Sequence, residues 1–173
     1  MLSYDIRELE RHAVQVGGEL TADDPIWGDD DTRPAAPIRV TGRLSNAGSG
    51  RYYWSGRIEG IAELDCRRCL TDLSIDVAED ANAIFVEAGD DVSSDPDIYT
   101  LPPNAEKIDL RPAVRDQWLL SAPTFALCRE ECKGLCPKCG ADLNEGPCGC
   151  AAETETDSRW DALRAARPAS DLK

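Results

Sequence analysis

The chain has 173 residues, of which 42% are hydrophobic, and a formal net charge of −14. This length suits one main domain with a small appendage. Proteins that are attracted to nucleic acid by their overall charge are usually basic, whereas this chain is strongly acidic. No apolar run approaches the ~20 residues that span a membrane, and the N-terminus lacks the apolar region of a signal peptide. We therefore expect a cytoplasmic protein that makes no membrane contact.

The first half of the chain is predicted to be mainly β-structure. Residues 1–16 begin with strand-like alternation and move toward helical spacing, which predicts a short strand or arm that runs into a turn or helix. Residues 17–36 are rich in Gly, Pro and acids and predict an acidic loop, with Trp27 packed on the core. Alternation over 37–86 predicts antiparallel strands, one of them long or bent over 52–64, with a hairpin loop at Asn46-Ala-Gly48-Ser-Gly50.

The long strand leads directly into Cys66-Arg-Arg-Cys69-Leu70, and the chain then returns in alternation. This pattern predicts a metal-capped turn between two antiparallel strands. One apolar face of such a sheet needs a cover.

A helix is predicted to provide that cover. Residues 87–105 predict a second acidic loop, with a short edge strand at 98–101. Asp109 is then a candidate N-cap, and the apolar spacing predicts a helix over 110–121 that buries Trp118. Pro123 ends it.

The remaining chemistry lies in cysteines. Eight are present in four pairs, and C-x2-C spacing brings two sulfurs to one tetrahedral ion. Two all-cysteine sites, each with one structural zinc, would use every cysteine. Loop closure favours joining the pair 136/139 to 148/150, and 66/69 to 128/132. The exchanged partition stays open, and disulfides and thiol redox chemistry are the alternatives. The predicted ligands are Cys66, Cys69, Cys128, Cys132, Cys136, Cys139, Cys148 and Cys150.

After the cysteines, Asp157 or Ser158 can cap a short terminal helix that Pro168 ends. The prediction for the whole chain is thus an α+β fold. An antiparallel β-sheet domain covered by a helix occupies 1–124, and a Cys-rich zinc knuckle with a short helix occupies 125–173.

Catalytic motifs are absent. The sequence has no phosphate-binding glycine loop and no H-E-x-x-H, and His12, the only histidine, lies in the predicted arm. These absences favour a protein that is not an enzyme and has no small-molecule substrate. Basic residues within the knuckles either offset thiolate charge or contact RNA phosphates or another partner; they are Arg67, Arg68, Lys133 and Lys138.

These motifs occur in a recognisable order. Cys66-Arg-Arg-Cys69-Leu70 is followed by Ile108-Asp109-Leu110 and then by Gly134-Leu-Cys136-Pro-Lys-Cys139-Gly140-Ala-Asp-Leu143-Asn144. Asp157-Ser-Arg159-Trp160 closes the series. Over about 38–164 the chain resembles the YceD family, the bacterial and plastid large ribosomal RNA subunit accumulation proteins.

The resemblance implies a non-catalytic ribosome-biogenesis factor that supports 23S rRNA accumulation and large-subunit assembly. The expected partners are precursor 23S rRNA and/or a basic large-subunit ribosomal protein. The resemblance to the family supplies no catalytic residues. The alternatives are a zinc-stabilised adaptor for a basic protein without RNA contact and, last, an rRNA-processing enzyme.

Overall fold

The structure is a computed structural model that describes residues 2–87 and 98–150. It is mostly β-sheet with few helices. Two compact units are present, Met1–Cys132 and a second that begins at Lys133. The domain boundary after residue 124 that we expect from the sequence stays a prediction.

The first unit contains all the regular elements of the described residues. In chain order they are β1 (Ser3–Asp5), α1 (Ile6–Leu9), β2 (Val14–Leu20), β3 (Ile38–Gly48), β4 (Arg51–Asp65), β5 (Asp72–Glu87), β6 (Ile98–Leu101), β7 (Lys107–Asp109) and α2 (Arg111–Ser121).

The main sheet has five strands in the order β2-β3-β4-β5-β6. Strands β2 to β5 pair antiparallel, as predicted, but β6 pairs parallel to β5. The prediction of a wholly antiparallel sheet is therefore wrong at this edge. Alternation within a strand identifies its buried face, and it does not determine the direction of the neighbouring strand.

The β3–β4 hairpin turns where the sequence predicts it. Gly48 and Gly50 have φ values of 87° and 69°, and the Asn46 side chain accepts a hydrogen bond from Gly48 N–H at 2.7 Å. Farther along, Gly42 lies opposite Gly56, and a β-carbon on Gly56 would collide with the Thr41 carbonyl. The backbone of β3 therefore passes too close to Gly56 for a side chain to fit there.

The first acidic loop is shorter than predicted. Gly17 and Gly18 lie within β2, because their main-chain groups pair with β3 and strand pairing overrides their weak β propensity. The rest of the loop is held in place. Trp27 is buried, and both Asp31 oxygens accept hydrogen bonds from Arg115, at 2.6 and 2.8 Å. The Arg115 guanidinium lowers the pKa of Asp31 below its usual range.

Helix α2 packs on the sheet within one residue of its predicted start. Its N-cap is Leu110, so the assignment of that role to Asp109 is wrong by one position. Asp109 ends β7 instead, and its carboxylate accepts a hydrogen bond from Arg111 N–H at 3.0 Å. Trp118 is completely buried, as predicted, and its indole N–H donates to the Thr32 carbonyl at 2.8 Å.

Two predictions concern the ends of the chain. The N-terminal arm pairs as β1 with β7 in a two-stranded sheet that the sequence analysis did not predict. The predicted helix after Asp157 lies outside the described residues. Among the residues described, no helix is long and apolar enough to cross a bilayer.

The packing of α2 predicts unequal effects for two of its residues. Trp118→Ala removes a fully buried ring and its hydrogen bond, so we expect a loss of about 3–5 kcal/mol in the free energy of unfolding. Leu120 is 80% exposed on the same helix, and Leu120→Ala should change that free energy by less than about 0.5 kcal/mol. Urea unfolding measures both, and equal shifts would contradict the burial of Trp118 under the helix.

Candidate metal centres

Four cysteines of the first unit form one group, which we call the hairpin cluster. Its members Cys66, Cys69, Cys128 and Cys132 have sulfur atoms that all lie within 4.8 Å of one another. The Cys66 and Cys132 sulfurs are 3.8 Å apart, and those of Cys69 and Cys128 are 3.6 Å apart. Three of the four residues are buried and Cys128 is exposed.

The strand pairing of β4 and β5 places the first two of these thiols. The ladder runs to Asp65 opposite Asp72, so the six residues between them form the tip of the hairpin. Within the tip, Cys66 N–H donates to Thr71 O and Leu70 N–H donates to Cys66 O, both at 2.9 Å. The predicted turn between antiparallel strands is therefore present, and its two sulfur atoms lie within 4.8 Å of each other.

Two arginines of the tip bind the segment that follows α2 and carries the other two thiols. Arg67 donates through its backbone N–H to Ala126 O and through Nε to Thr124 O, each at 2.9 Å. Arg68 donates through Nη1 to the carbonyl of Cys132 at 2.8 Å and to that of Glu130 at 3.2 Å. These bonds hold residues 124–132 against the hairpin. Cys128 and Cys132 of this segment are thereby placed beside Cys66 and Cys69.

The second unit contains the C-terminal cluster, formed by Cys136, Cys139, Cys148 and Cys150. Its knuckle is closed by Cys136 N–H donating to Ala141 O at 2.8 Å and Gly140 N–H to Cys136 O at 2.9 Å. The Asn144 side chain accepts from Lys133 N–H at 2.8 Å. Asn144 therefore ties the start of this unit to the turn after the knuckle. The structure thus groups the eight cysteines by the partition that loop closure favours.

The two knuckles share one backbone design. In each, the first cysteine accepts from the residue four positions later and donates to the residue five positions later. The fourth-position residue has positive φ in both, 59° at Leu70 and 72° at Gly140. Glycine adopts this conformation freely, whereas a residue with a β-carbon is disfavoured by about 1–2 kcal/mol. The hairpin knuckle therefore holds a strained leucine where the other knuckle has glycine.

The donor set of each cluster fits one metal ion. Four sulfurs arranged tetrahedrally at about 2.3 Å from an ion lie about 3.8 Å apart, and the 3.6 and 3.8 Å separations of the hairpin cluster match this size. The two groups can therefore each hold a metal ion. His12 belongs to neither group, because its side chain is 64% exposed and lies 3.5 Å from Glu8.

The thiols within a cluster differ in acidity. The Cys128 backbone N–H donates to the Cys66 sulfur at 3.4 Å and lowers the pKa of Cys66 to about 6. Desolvation raises the pKa of Cys128 to about 12. In the C-terminal cluster, backbone N–H groups of Cys139 and Lys138 likewise lower the pKa of Cys136 to about 6. A cation that binds all four sulfurs must displace protons from the weaker acids, so its affinity rises with pH.

The four basic residues proposed for RNA or partner contact are divided between the units. Arg67 and Arg68 belong to the first and are partly used by the hydrogen bonds described above. Lys133 and Lys138 belong to the second and are exposed.

Sequence reasoning missed the exposed apolar residues beside the hairpin cluster. Phe125 is 81% exposed with the Arg67 guanidinium 5.6 Å from its ring centre, and Leu70 is 63% exposed. The sequence gives little indication of their exposure: Phe125 simply lies between a proline and a cysteine in a short linker.

The family model described as "Large ribosomal RNA subunit accumulation protein YceD" matches residues 54–165, which include both clusters. The chain belongs to the YceD family. The resemblance seen in the sequence is thereby confirmed, and with it a link to ribosomal RNA accumulation.

Relatives of the chain show where the similarity lies. It is 40% identical over 62 residues to the chloroplastic large ribosomal RNA subunit accumulation protein YCED homolog 1 of Arabidopsis thaliana, covering 36% of this chain and 19% of that protein. An uncharacterized protein of Mycobacterium tuberculosis is 31% identical over 163 residues, covering 92% of this chain and 72% of its own. The YlbN protein of Bacillus subtilis is 24% identical over 140 residues, or 80% of each chain. The matches to these two bacterial proteins cover most of this chain, whereas the match to the Arabidopsis protein spans only 19% of the length of that protein. No solved structure matches the chain.

The shared knuckle design predicts opposite effects of two matched substitutions. Leu70→Gly relieves the positive-φ strain, so the free energy of local opening at this turn should rise by up to about 1 kcal/mol. Gly140→Leu introduces the same strain and should lower it by about 1–2 kcal/mol. Hydrogen exchange of the amides at positions 70 and 140 reports both changes. Shifts of the same sign at the two knuckles would contradict their equivalence.

Proposed function

We propose that the protein is a non-catalytic, zinc-stabilised ribosome-biogenesis factor that supports 23S rRNA accumulation and large-subunit assembly. It does so by binding precursor 23S rRNA and/or a basic large-subunit ribosomal protein. The observation that carries the proposal is membership of the YceD family through a region that includes both cysteine clusters.

Zinc is the proposed ion at each cluster. Four thiolates favour a soft or borderline metal, and an all-cysteine tetrahedral set is typical of structural zinc. All four coordination positions are then filled by sulfur, so the ion has no position for an activated water. Its role in the proposal is to hold the hairpin tip to residues 124–132 and to fold the second unit. Reduced thiols of this kind suit the cytoplasm, which is the proposed compartment.

The charge distribution supports a basic protein as one partner. The net charge of −14 would repel RNA phosphates over most of the surface. In the proposal, RNA contact is therefore limited to a few residues. Its candidate residues are Arg67, Arg68, Lys133 and Lys138.

A second candidate function is an adaptor that binds a basic protein without touching RNA. The partial use of Arg67 and Arg68 in hydrogen bonds to carbonyls favours it, because these donors are committed within the protein. An rRNA-processing enzyme is the weakest candidate, because the only histidine is exposed and belongs to neither cluster.

Zinc content tests the structural part of the proposal. Purified full-length protein should contain about two equivalents of zinc, and Cys66→Ser and Cys139→Ser should each lose about one, since each removes a ligand from a different cluster. His12→Ala is the matched control and should keep both. Elemental analysis gives the count. Zinc that stays at two equivalents in both cysteine variants would contradict the assignment.

The cellular role is tested by deleting the gene from its host. We expect a lower level of 23S rRNA and a smaller large-subunit peak in sucrose gradients, both restored by the wild-type gene. Unchanged rRNA and subunit profiles after deletion would reject the proposal.

Crosslinking to RNA in cells separates the two candidate functions. RNA contact is supported if crosslinks are lost in either of two double variants, Arg67→Glu with Arg68→Glu or Lys133→Glu with Lys138→Glu. Zinc content of these variants controls for loss of folding.

A further inference from the structure

The end of the β4–β5 ladder bears a concentration of negative charge on one face. Asp65 and Asp72 are directly opposite each other and exposed, and like charges in that position destabilise a sheet. Glu63 lies on the same face, two residues along β4. Among residues 2–87 and 98–150, none of these three carboxylates forms an ion pair.

Another pair on the same face of this ladder shows the contrast. Arg57 lies opposite Asp80, and their side chains form an ion pair at 2.9 Å. Opposite charges therefore meet in the middle of the hairpin, and like charges meet at its end. The unfavourable pair at the end is relieved if a positive group binds there.

Two adjoining grooves lie at this position. The first has a volume of about 750 Å³ and is lined by the three carboxylates, with Arg33 as its one cationic residue. The second, of about 360 Å³, has a mixed lining that includes Arg67 and Thr124. The two share Thr32, Leu64 and Asp65. The lining of the second groove also includes Leu70, Leu119, Ala122, Pro123 and Ala126.

One residue of β4, Asp65, also has open main-chain groups beside the grooves, between two stretches that pair with other parts of the chain. Neighbouring residues of a strand direct their main-chain groups to alternate sides. On the side away from β5, Ile61 O accepts from Ala35 N–H at 2.8 Å, and Arg67 N–H donates to Ala126 O at 2.9 Å. Asp65 directs its N–H and C=O to this same side, and within the described part of the chain neither has a backbone partner there.

We propose that this edge, with its two grooves, binds an extended segment of a basic protein whose basic and apolar residues alternate. This inference deepens the proposed function, on which it rests, by giving the basic partner a place. The segment exchanges main-chain hydrogen bonds with Asp65, as a strand added to an open edge does. Its basic side chains face Glu63, Asp65 and Asp72, and its apolar side chains enter the second groove beside Leu64 and Leu119.

The alternation of the segment follows from the strand geometry. Successive side chains of a strand point to opposite faces, and β4 places Asp65 on one face and Leu64 on the other. An added strand therefore meets carboxylates with one set of its side chains and apolar groups with the other. RNA phosphates would meet the carboxylates and be repelled, so the charge at this edge favours a polypeptide.

A defined peptide tests the inference on the full-length protein. The probe is a fluorescent octapeptide of alternating lysine and valine, and we expect saturable binding by fluorescence anisotropy. Asp65→Asn with Asp72→Asn should weaken it about tenfold, since two ion pairs are lost. Asp76→Asn, an exposed change on β5 that lines neither groove, is the matched control and should leave the affinity unchanged. Neutralising the like pair should not lower the melting temperature, so loss of folding does not explain the effect.

Three further probes decide the mode of binding. A lysine–valine peptide methylated on the main-chain nitrogens that face β4 should bind at least about tenfold more weakly, and a glutamate–valine peptide should not bind. Equal binding by the methylated peptide, equal binding by the glutamate peptide, or an unchanged affinity in the double variant would each overturn the inference. Displacement of the peptide by an eight-nucleotide oligouridine that binds more tightly would assign the edge to RNA and would also overturn it.

The result is separable from the proposed function. If the double variant restores 23S rRNA in the deletion strain as well as the wild-type gene does, this edge is not the partner site, while the proposed function stands. If the wild-type gene itself has no effect on 23S rRNA, the proposed function fails whatever the peptide does.

Discussion

The attachment of residues 124–132 to the tip of the β4–β5 hairpin is the constraint on which the first unit depends. Cys66 and Cys132 are separated by 66 positions in the chain, yet their sulfurs are 3.8 Å apart. Closing a loop of this length carries a substantial entropic cost, which one metal–thiolate set can offset. Arg67 and Arg68 reinforce the attachment through four hydrogen bonds to carbonyls of this segment. The same attachment forms one wall of the second groove, because Thr124 and Ala126 line it together with Leu64. The hairpin cluster and the proposed partner site are thus connected through one segment.

Much of the fold follows from local patterns. The alternation over 37–86 and the spacing around Trp118 predict the central strands and α2, since both depend on residues close in sequence. The β1–β7 pair and the parallel β6 depend on contacts between distant segments, for which a strand's own pattern holds no information. Asp109 shows the same limit on a smaller scale. It has the side chain of an N-cap and does accept the Arg111 N–H, but its pairing with Ser3 in β7 moves the cap to Leu110.

The candidate sites were predictable to different degrees. The ligand spacing of Cys136 and Cys139, and the short distance to Cys148, predict a local cluster directly. The function of Arg67 and Arg68 was not predictable, because their acceptors are carbonyls of residues 124–132, far away in the chain. The like-charge pair of Asp65 and Asp72 becomes visible only once the register of β4 and β5 is known. The groove beside it depends on α2 and on residues 122–126, so no single segment encodes it.

In the proposed function the cysteine clusters are a scaffold, and the edge of β4 is the surface that binds the partner. Each cluster is proposed to hold one zinc ion through four sulfur atoms, with no nitrogen or oxygen ligand. Zinc-edge X-ray absorption spectroscopy of the purified protein tests this most directly. The expected result is four sulfur neighbours of zinc at about 2.3 Å. A shell that includes nitrogen or oxygen at about 2.0–2.1 Å, or protein that takes up no zinc, would contradict it.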